Sequence, residues 1–359
     1  MLILHTADWH LGDIIGKRRV SRKEDLERAV ERVVEIARRE RAETLLIAGD
    51  LFSDKANRQD DLAPIVQHLG ATLRPFLNDG GTVLAVTGNH DKEAACQLLQ
   101  HTMVLADPTD FPAGACLKPG RFYLATGPNL YRLAGRDGEE VQFLMMPYPT
   151  PARYLDDRPL GTRDETNRQL MTAFRNRMEL IQAAGFFRQD LPTVLVAHIH
   201  VQGAAIRGMY RGINEAEDVV LSDVPTHFAY VALGHVHNPQ ALGGNDHVRY
   251  AGSIECLDFG EREDQKSVCL IDVAKGRKEP VRVVPLESTP MYHLEITDPA
   301  AQAPLLADQY PDRERALVKY KLHWKAGVDH RDELLKQIEG LFPKAVSYTH
   351  LTLPTNREV

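Results

Sequence analysis

The sequence predicts an α/β fold: two sheets packed face to face with helices outside, and a small C-terminal α+β unit. Three observations carry this. Short apolar runs alternate with amphipathic helical stretches through the first hundred residues. A second family of apolar runs follows, at 141–146, 193–197 and 228–233. Almost every run ends in carboxylate, imidazole or amide side chains. A βαβ alternation implies a parallel sheet with helices on it, and two such layers bury each other's free face.

The elements follow in order. Leu2-Ile3-Leu4-His5-Thr6 is a strand, leading into Asp8 and His10. Ser21 with Glu24 three residues on predicts a capping box for a helix reaching about Arg41, with Leu26, Val30, Val33 and Ala37 on one face. Leu45-Leu46-Ile47-Ala48 is a buried strand ending in Gly49-Asp50. A helix over about 60–77 stops at Asn78-Asp79-Gly80-Gly81. Val83-Leu84-Ala85-Val86 then delivers Gly88-Asn89-His90-Asp91, and 92–106 reads as helix.

Residues 107–138 are rich in Gly and Pro, with a strand-like piece at 121–124. Val141–Met146 is a strand, 163–184 a polar helix, and Thr193–Ala197 a strand with His198 and His200 at its end. Residues 201–225 form a long polar connection. Phe228–Leu233 ends in Gly234-His235-Val236-His237. Val248–Ala251 and Ser267–Ile271 read as antiparallel strands, so the second half predicts a second sheet. Three units follow: 1–284, 285–344, and a tail, 345–359, that continues no pattern and is of doubtful origin.

Composition narrows the class. The chain has 359 residues, 43% hydrophobic and 26% charged, as in ordinary folded proteins. Its formal charge of −7 argues against a free-standing DNA-coating protein, so nucleic-acid binding would need local patches or a partner. The start turns polar too quickly for a secretory signal, and no stretch reaches the length of a membrane span. The four cysteines have neither pairing nor zinc-like spacing. A cytoplasmic protein with reduced thiols is expected, with no membrane partner.

The strand ends collect Asp8, His10, Asp50, Asn89, His198, His235 and His237. Mixed imidazole, carboxylate and amide ligands suit Mn, Fe or Zn better than Ca or Mg. Seven groups are too many for one ion with an open position and suit two, with Asp50 on the central strand as the bridge. Such a pair clamps the attacking and leaving oxygens of an in-line phosphoryl displacement and activates a hydroxide. His90, next to a ligand, could donate a proton to the leaving oxygen. An Asp-x-His or a strand-end His pair taken alone is most often a hydrogen-bonded rim; five motifs in this order, each after a strand, are not.

Asp8-Trp9-His10-Leu11-Gly12, Gly49-Asp50-Leu51-Phe52, Gly88-Asn89-His90-Asp91, the His198 strand end and Gly234-His235-Val236-His237 resemble the five motifs of the calcineurin-like metallophosphoesterases. Tyr230–His237 and Val248-Arg249-Tyr250-Ala251-Gly252-Ser253 are closer still to its branch of bacterial break-repair nuclease subunits. The resemblance covers residues 1 to about 275 well and the C-terminal unit loosely. It implies a metallophosphoesterase sandwich with a capping domain, and a manganese-dependent DNA nuclease. Such a nuclease digests duplex ends 3′→5′ and cuts single strands and hairpins, with an SbcC-type ATPase, as a homodimer, in DNA repair, recombination and replication. It implies Asp8, His10, Asp50 and His237 on one ion, Asp50, Asn89, His198 and His235 on the other, and His90 as catalytic. The alternative is a phosphodiesterase or phosphatase of small esters on the same site.

Two departures stand out. The family usually places Asp or His three residues after the bridging Asp to orient the catalytic His; here Ser53 is there, with Asp54 next, and either could serve. The family chain also normally continues past the cap to a segment that grips the coiled-coil base of its ATPase, where this chain departs after about Lys344. His200 and His5 read as rim and packing residues, and Trp9 as packing rather than base stacking. Lys17, Arg18, Arg19, Arg22 and Lys23 are the nearest basic run for DNA, with Arg18 and Arg19 its centre and Arg207 and Arg211 a second candidate.

Overall fold

Six strands form the first sheet, in the order Arg282–Pro285, Ser267–Asp272, Leu2–Thr6, Thr44–Ala48, Thr82–Val86, Phe122–Ala125. The computed structural model describes residues 1–56, 59–106, 114–155, 161–206, 220–221, 224–273, 281–325 and 330–353. The three motif-bearing strands run parallel, Leu4 beside Leu45 and Leu45 beside Val83. Their carboxyl ends therefore share one rim, with Asp50 between the other two.

The second sheet has seven strands, in the order Gln240–Leu242, Asn245–Tyr250, Tyr230–Gly234, Thr193–His198, Glu140–Met146, Asn129–Ala134, Ala115–Leu117. Its central strands are also parallel, Val194 beside Tyr230 and His198 beside Gly234. Side-chain alternation then builds the layers. Ile3, Leu46, Leu84, Phe143, Val194 and Tyr230 fill the core between the sheets. Leu4, Leu45, Ile47, Val83 and Ala85 face away, onto helices Lys23–Arg39 and Gln59–Asn78. Leu144, Leu195, Val231 and Leu233 face helix Arg163–Ala183 through Phe174, Met178 and Ile181. This is the α/β/β/α order expected.

Four local expectations are corrected. Val248 runs parallel to Val231, because its hairpin partner is Gln240–Leu242 across the Gly243-Gly244 turn. Ser267–Asp272 crosses to the first sheet and pairs antiparallel with Leu2–Thr6. The helix after Ser21 starts at Lys23 with Arg22 at its N-cap and no side-chain cap. Arg22 is held there by its own guanidinium, fully buried on Asp25, Glu255 and the Cys256 carbonyl. Residues 345–353, expected to continue no pattern, form a strand.

That strand completes a parallel sheet with Met291–Ile296 and Leu317–Lys325, backed by helices Pro299–Gln309 and Arg331–Leu341 around Ile296, Leu322, Ile338 and Phe342. The unit docks on the larger sandwich through Ile15, Phe259, Met291, Leu317 and Val346. Lys344 Nζ adds a 2.9 Å contact to Asp25.

Candidate metal centre

The loops at the shared rim are held in costly backbone conformations. Asp8, His10 and Asp50 have φ of 52°, 46° and 51°, and His235 has 98°. A non-glycine residue there costs of order 1–3 kcal/mol, so the surroundings must impose it. Asp8 N donates to Gly49 O and His10 N to Asp50 O, both at 3.0 Å, stitching the first loop to the second. His235 N donates to the Asp8 carboxylate at 3.0 Å.

Glycine is required at two of these turns by close approach. A Cβ on Gly49, whose φ is +91°, would lie 2.1 Å from His198 Nδ1. A Cβ on Gly234 would lie 1.8 Å from the Ala48 carbonyl oxygen. The two sheets thus touch backbone to backbone where the imidazoles must meet the carboxylates.

The ligand atoms converge across this contact. His198 Nδ1 lies 2.7 Å from Ala48 O; a carbonyl only accepts, so Nδ1 carries the hydrogen and Nε2 faces the site. Nε2 stands 3.3 Å from Asp50 Oδ2 and 3.0 Å from Asn89 Oδ1. His235 Nδ1 is also 3.0 Å from that amide oxygen. On the other side, His10 Nε2 is 3.5 Å from Asp50 Oδ2, and His237 Nε2 is 4.0 Å from Asp8 Oδ1. Three trios present ligand atoms within 4.8 Å of one another: Asp8, His10, His237; His10, Asp50, His90; and Asp8, Asp50, His198. Asp50 belongs to two of them. All seven sequence-predicted ligands meet here, with Asp50 at the centre.

These residues fit divalent cations. Ligands at about 2.0–2.2 Å from one ion and at right angles lie roughly 3 Å apart, the spacing seen around Asn89. His10 Nε2 is buried with no hydrogen-bond partner among the described residues, a donor atom aimed at nothing but the cluster. The electrostatics agree. Burial pushes the Asp8 carboxyl above the ordinary range, with Asp50 adding to it against the pull of His198 and His237. Burial drives His10 well down, toward the neutral, ligating form. Burial opposes charge on Asp50 too, yet His198 and then His10 hold it well below the usual range. His198 is the counterpart: burial lowers it, but Asp50 and Asp8 raise it to about 9. A proton on His198 occupies the place a cation would take.

His90 sits at the open edge, its side chain a quarter exposed. Its backbone N–H donates to Asp50 Oδ1 at 2.9 Å, and its Nδ1 is 3.5 Å from Asp54 Oδ1. Ser53 is not brought to it: the hydroxyl donates to Asp13 Oδ1 at 3.0 Å, because Ser53 N pairs with Leu11 O and turns the side chain toward the first loop. Of the two candidates, Asp54 faces His90.

The basic run disperses. Arg18 pairs with Glu339 of the C-terminal unit at 2.5 Å, and Arg22 is buried as described. Arg19 is exposed, in a turn with φ of 52°. Arg207 and Arg211 lie outside the described residues. Trp9 is fully buried, its indole N–H donating to Thr6 Oγ1, and so cannot stack on a base. His5 packs between the sheets against Tyr230. His200 approaches the His235 ring at 6.3 Å between centroids.

Three contributors escaped the sequence reading. Asp91 accepts from the backbone N–H groups of Gly88, Phe52 and Leu51, tying the second and third loops together. Its place inside Gly88–Asp91 was the available signal. Tyr148 places its ring 5.5 Å from that of His235. Glu261, almost fully buried, lies 2.9 Å from His237 Nδ1. Burial would raise its carboxyl, but His237 and Lys266 hold it well below the usual range.

The family model for calcineurin-like phosphoesterases matches residues 1–239. A protein described as the SbcD subunit of the nuclease SbcCD, from Bacillus subtilis (strain 168), is 29% identical over 296 residues, covering 80% of this chain and 70% of its own. Its namesake from Staphylococcus saprophyticus is 23% identical over 372 positions, covering 100% of this chain and 87% of its own. Among solved structures, TT1561 of Thermus thermophilus aligns with a TM-score of 0.41 and 15% identity, over 80% of this chain and 99% of its own.

Proposed function

Because the chain belongs to the calcineurin-like phosphoesterase family, a family of metal-dependent phosphoesterases, we propose that it is the nuclease subunit of an SbcCD-type complex. The reading is a manganese-dependent DNA nuclease, digesting duplex ends 3′→5′ and cutting single strands and hairpins, with an SbcC-type ATPase as partner. The observation that carries it is the gathering of the seven strand-end groups in one cluster around Asp50 and Asp8, in a chain whose relatives are named for that nuclease. No helix among the described residues is long and apolar enough to cross a membrane. A cytoplasmic homodimer acting on chromosomal DNA is part of the same proposal. So is a domain division near residue 285, with the unit that follows, strand Ala345–Leu353 included, as the cap that seats DNA.

Asp8, His10, Asp50 and His237 would hold one Mn²⁺, and Asp50, Asn89, His198 and His235 the other. The pair, when bound, supplies Lewis acidity toward phosphate oxygens and brings a bound water's pKa near neutrality. The protein's own groups do the rest. Asp50, fixed by the His90 N–H, sets the two positions relative to each other. His90, oriented through Nδ1 by Asp54, presents Nε2 to the substrate and hands a proton to the leaving oxygen. The rigid rim holds the phosphodiester in line, where misplacement of an ångström costs about a hundredfold.

The test is Mn²⁺-dependent cleavage of an end-labelled duplex and a hairpin, wild type beside His90→Ala, with bis-p-nitrophenyl phosphate as small diester. Cleavage of DNA that the variant loses supports the reading. Turnover of the small ester with DNA intact, persisting after an SbcC-type subunit is added, would assign the site to small phosphodiesters instead.

A further inference from the structure

The loop between Ser253 and Lys266 bears no sequence motif assigned to the site, yet it carries a buried ionic network pressed against one of the ligands. Glu261 has a 1% exposed side chain and Lys266 a 0% exposed one. Glu261 Oε1 lies 2.9 Å from His237 Nδ1. The other oxygen, Oε2, accepts from Lys266 Nζ at 2.8 Å, from Leu257 N at 3.1 Å and from Ser253 Oγ at 3.4 Å. Lys266 Nζ donates in addition to the His237 carbonyl at 3.0 Å and lies 3.6 Å from Asp264 Oδ2. One carboxylate therefore holds the ring of His237 while its counter-ion holds the same residue's backbone.

We propose that Glu261, aimed by Lys266, is the positioning residue of His237: it fixes the imidazole with hydrogen on Nδ1 and turns Nε2 toward Asp8 and the metal position. The assignment rests on the metal reading above and deepens it. An ionised carboxylate only accepts, so the nitrogen facing it carries the hydrogen and the opposite nitrogen presents a lone pair. Nε2 is the His237 atom that stands 4.0 Å from Asp8 Oδ1. A carboxylate behind a ligating imidazole raises its basicity and locks its rotation, and removing such a partner commonly lowers metal affinity by about 10–100-fold. A carboxylate with no role beyond local packing would not need a fully buried lysine that also grips the ligand's main chain. The loop lies in the segment that carries the chain from the second sheet back to the first.

Glu261→Gln is the first test, being equal in size. Its amide must turn an N–H₂ toward either His237 Nδ1–H or Lys266, both donors, so one contact is lost. Mn²⁺ titration of the full chain, followed by calorimetry and by the electron paramagnetic resonance of free Mn²⁺, reads each ion separately. The expected result is one Mn²⁺ weakened about 10–100-fold, the other unchanged, with wild-type circular dichroism. The variant combined with His237→Ala should be no weaker than His237→Ala alone, since Glu261 acts through that ring. Glu261→Asp, which withdraws the carboxylate by one methylene, should weaken the same ion and serves if the glutamine variant does not fold. Wild-type affinity for both ions in a folded Glu261→Gln or Glu261→Asp protein, or losses that add in the double variant, overturns the assignment. A wild type that binds no Mn²⁺ overturns the metal reading and this assignment with it.

Discussion

Replacing Gly234 by Ala tests whether the site depends on the backbone contact between the two sheets. The added Cβ would lie 1.8 Å from the Ala48 carbonyl oxygen and 2.9 Å from His198 Nδ1. Ala48 O is main chain and cannot rotate aside, and it also holds His198 Nδ1 at 2.7 Å. Relief to the 3.0 Å that real Cβ atoms respect needs the two rims to part by about 1.2 Å. Overpacking of this kind costs about 1–3 kcal/mol, occasionally more. The displacement also exceeds the roughly 0.5 Å tolerance of a functional constellation, so His235 and His198 no longer reach Asn89 and Asp50 together. Thermal unfolding and Mn²⁺ calorimetry should both register it. Gly70→Ala is the control: Gly70 is exposed, inside helix Gln59–Asn78, with no atom within 4 Å of the new methyl. It should stabilise by about 0.5–1 kcal/mol with Mn²⁺ binding intact. A Gly234→Ala protein with wild-type stability and wild-type Mn²⁺ affinity would refute the reasoning.

Three further outcomes follow from the same geometry. Asp91→Asn turns an amide N–H₂ toward either Phe52 N, whose acceptor is Oδ1, or Gly88 and Leu51 N, which share Oδ2, and should cost at least about 1–3 kcal/mol in denaturant unfolding; an unchanged midpoint would show that the loops are held otherwise. His198, raised to about 9 chiefly by Asp50 against its burial, is protonated at neutral pH, and a cation must displace that proton. Mn²⁺ affinity should therefore climb up to about tenfold per pH unit from 7 to 9, with proton release seen by calorimetry in buffers of different ionisation enthalpy; the sign for the metal-free protein is opposite, since stability from a raised histidine is complete below its unfolded value of 6.5 and is lost as pH rises through 9. Arg18→Ala removes a half-exposed pair with Glu339, so it should change stability by less than about 1 kcal/mol and leave the salt dependence of duplex binding unaltered, which a shallower slope would contradict.

Much of the site was legible in the sequence because its pieces are local. Leu45–Ala48 and Val83–Val86 are strands by composition, a strand followed by a helix returns parallel, and parallel strands put their carboxyl ends together. That alone brings Asp8, Asp50 and Asn89 to one rim, and the metal chemistry follows from the residue types. What was not legible depends on partners distant in the chain. The consecutive apolar residues of Ser267–Asp272 say that both faces are covered, but not that its neighbour is Leu2–Thr6, more than 260 residues earlier. Ser53 and Asp54 are equivalent on paper, and only the hydrogen bond of Ser53 N to Leu11 O turns one away and leaves the other facing His90. Arg18 and Arg22 share a basic run, yet their fates are set by Glu339 and Glu255, which no local pattern connects to them.

The sequence by itself determined the layer order, the seven strand-end groups that meet at one rim and the central place of Asp50 among them. Periodicity, turn chemistry and strand-end position are properties of consecutive residues. The tertiary structure decided which nitrogen of each imidazole faces the site, which residue stands behind His90, and that Glu261 and Lys266 belong to the centre. Those are choices among donors and acceptors. A donor is settled only by the acceptor folded against it, and Ala48 O, Asp54 and Glu261 reach their histidines only after the two sheets and the loop between them have closed.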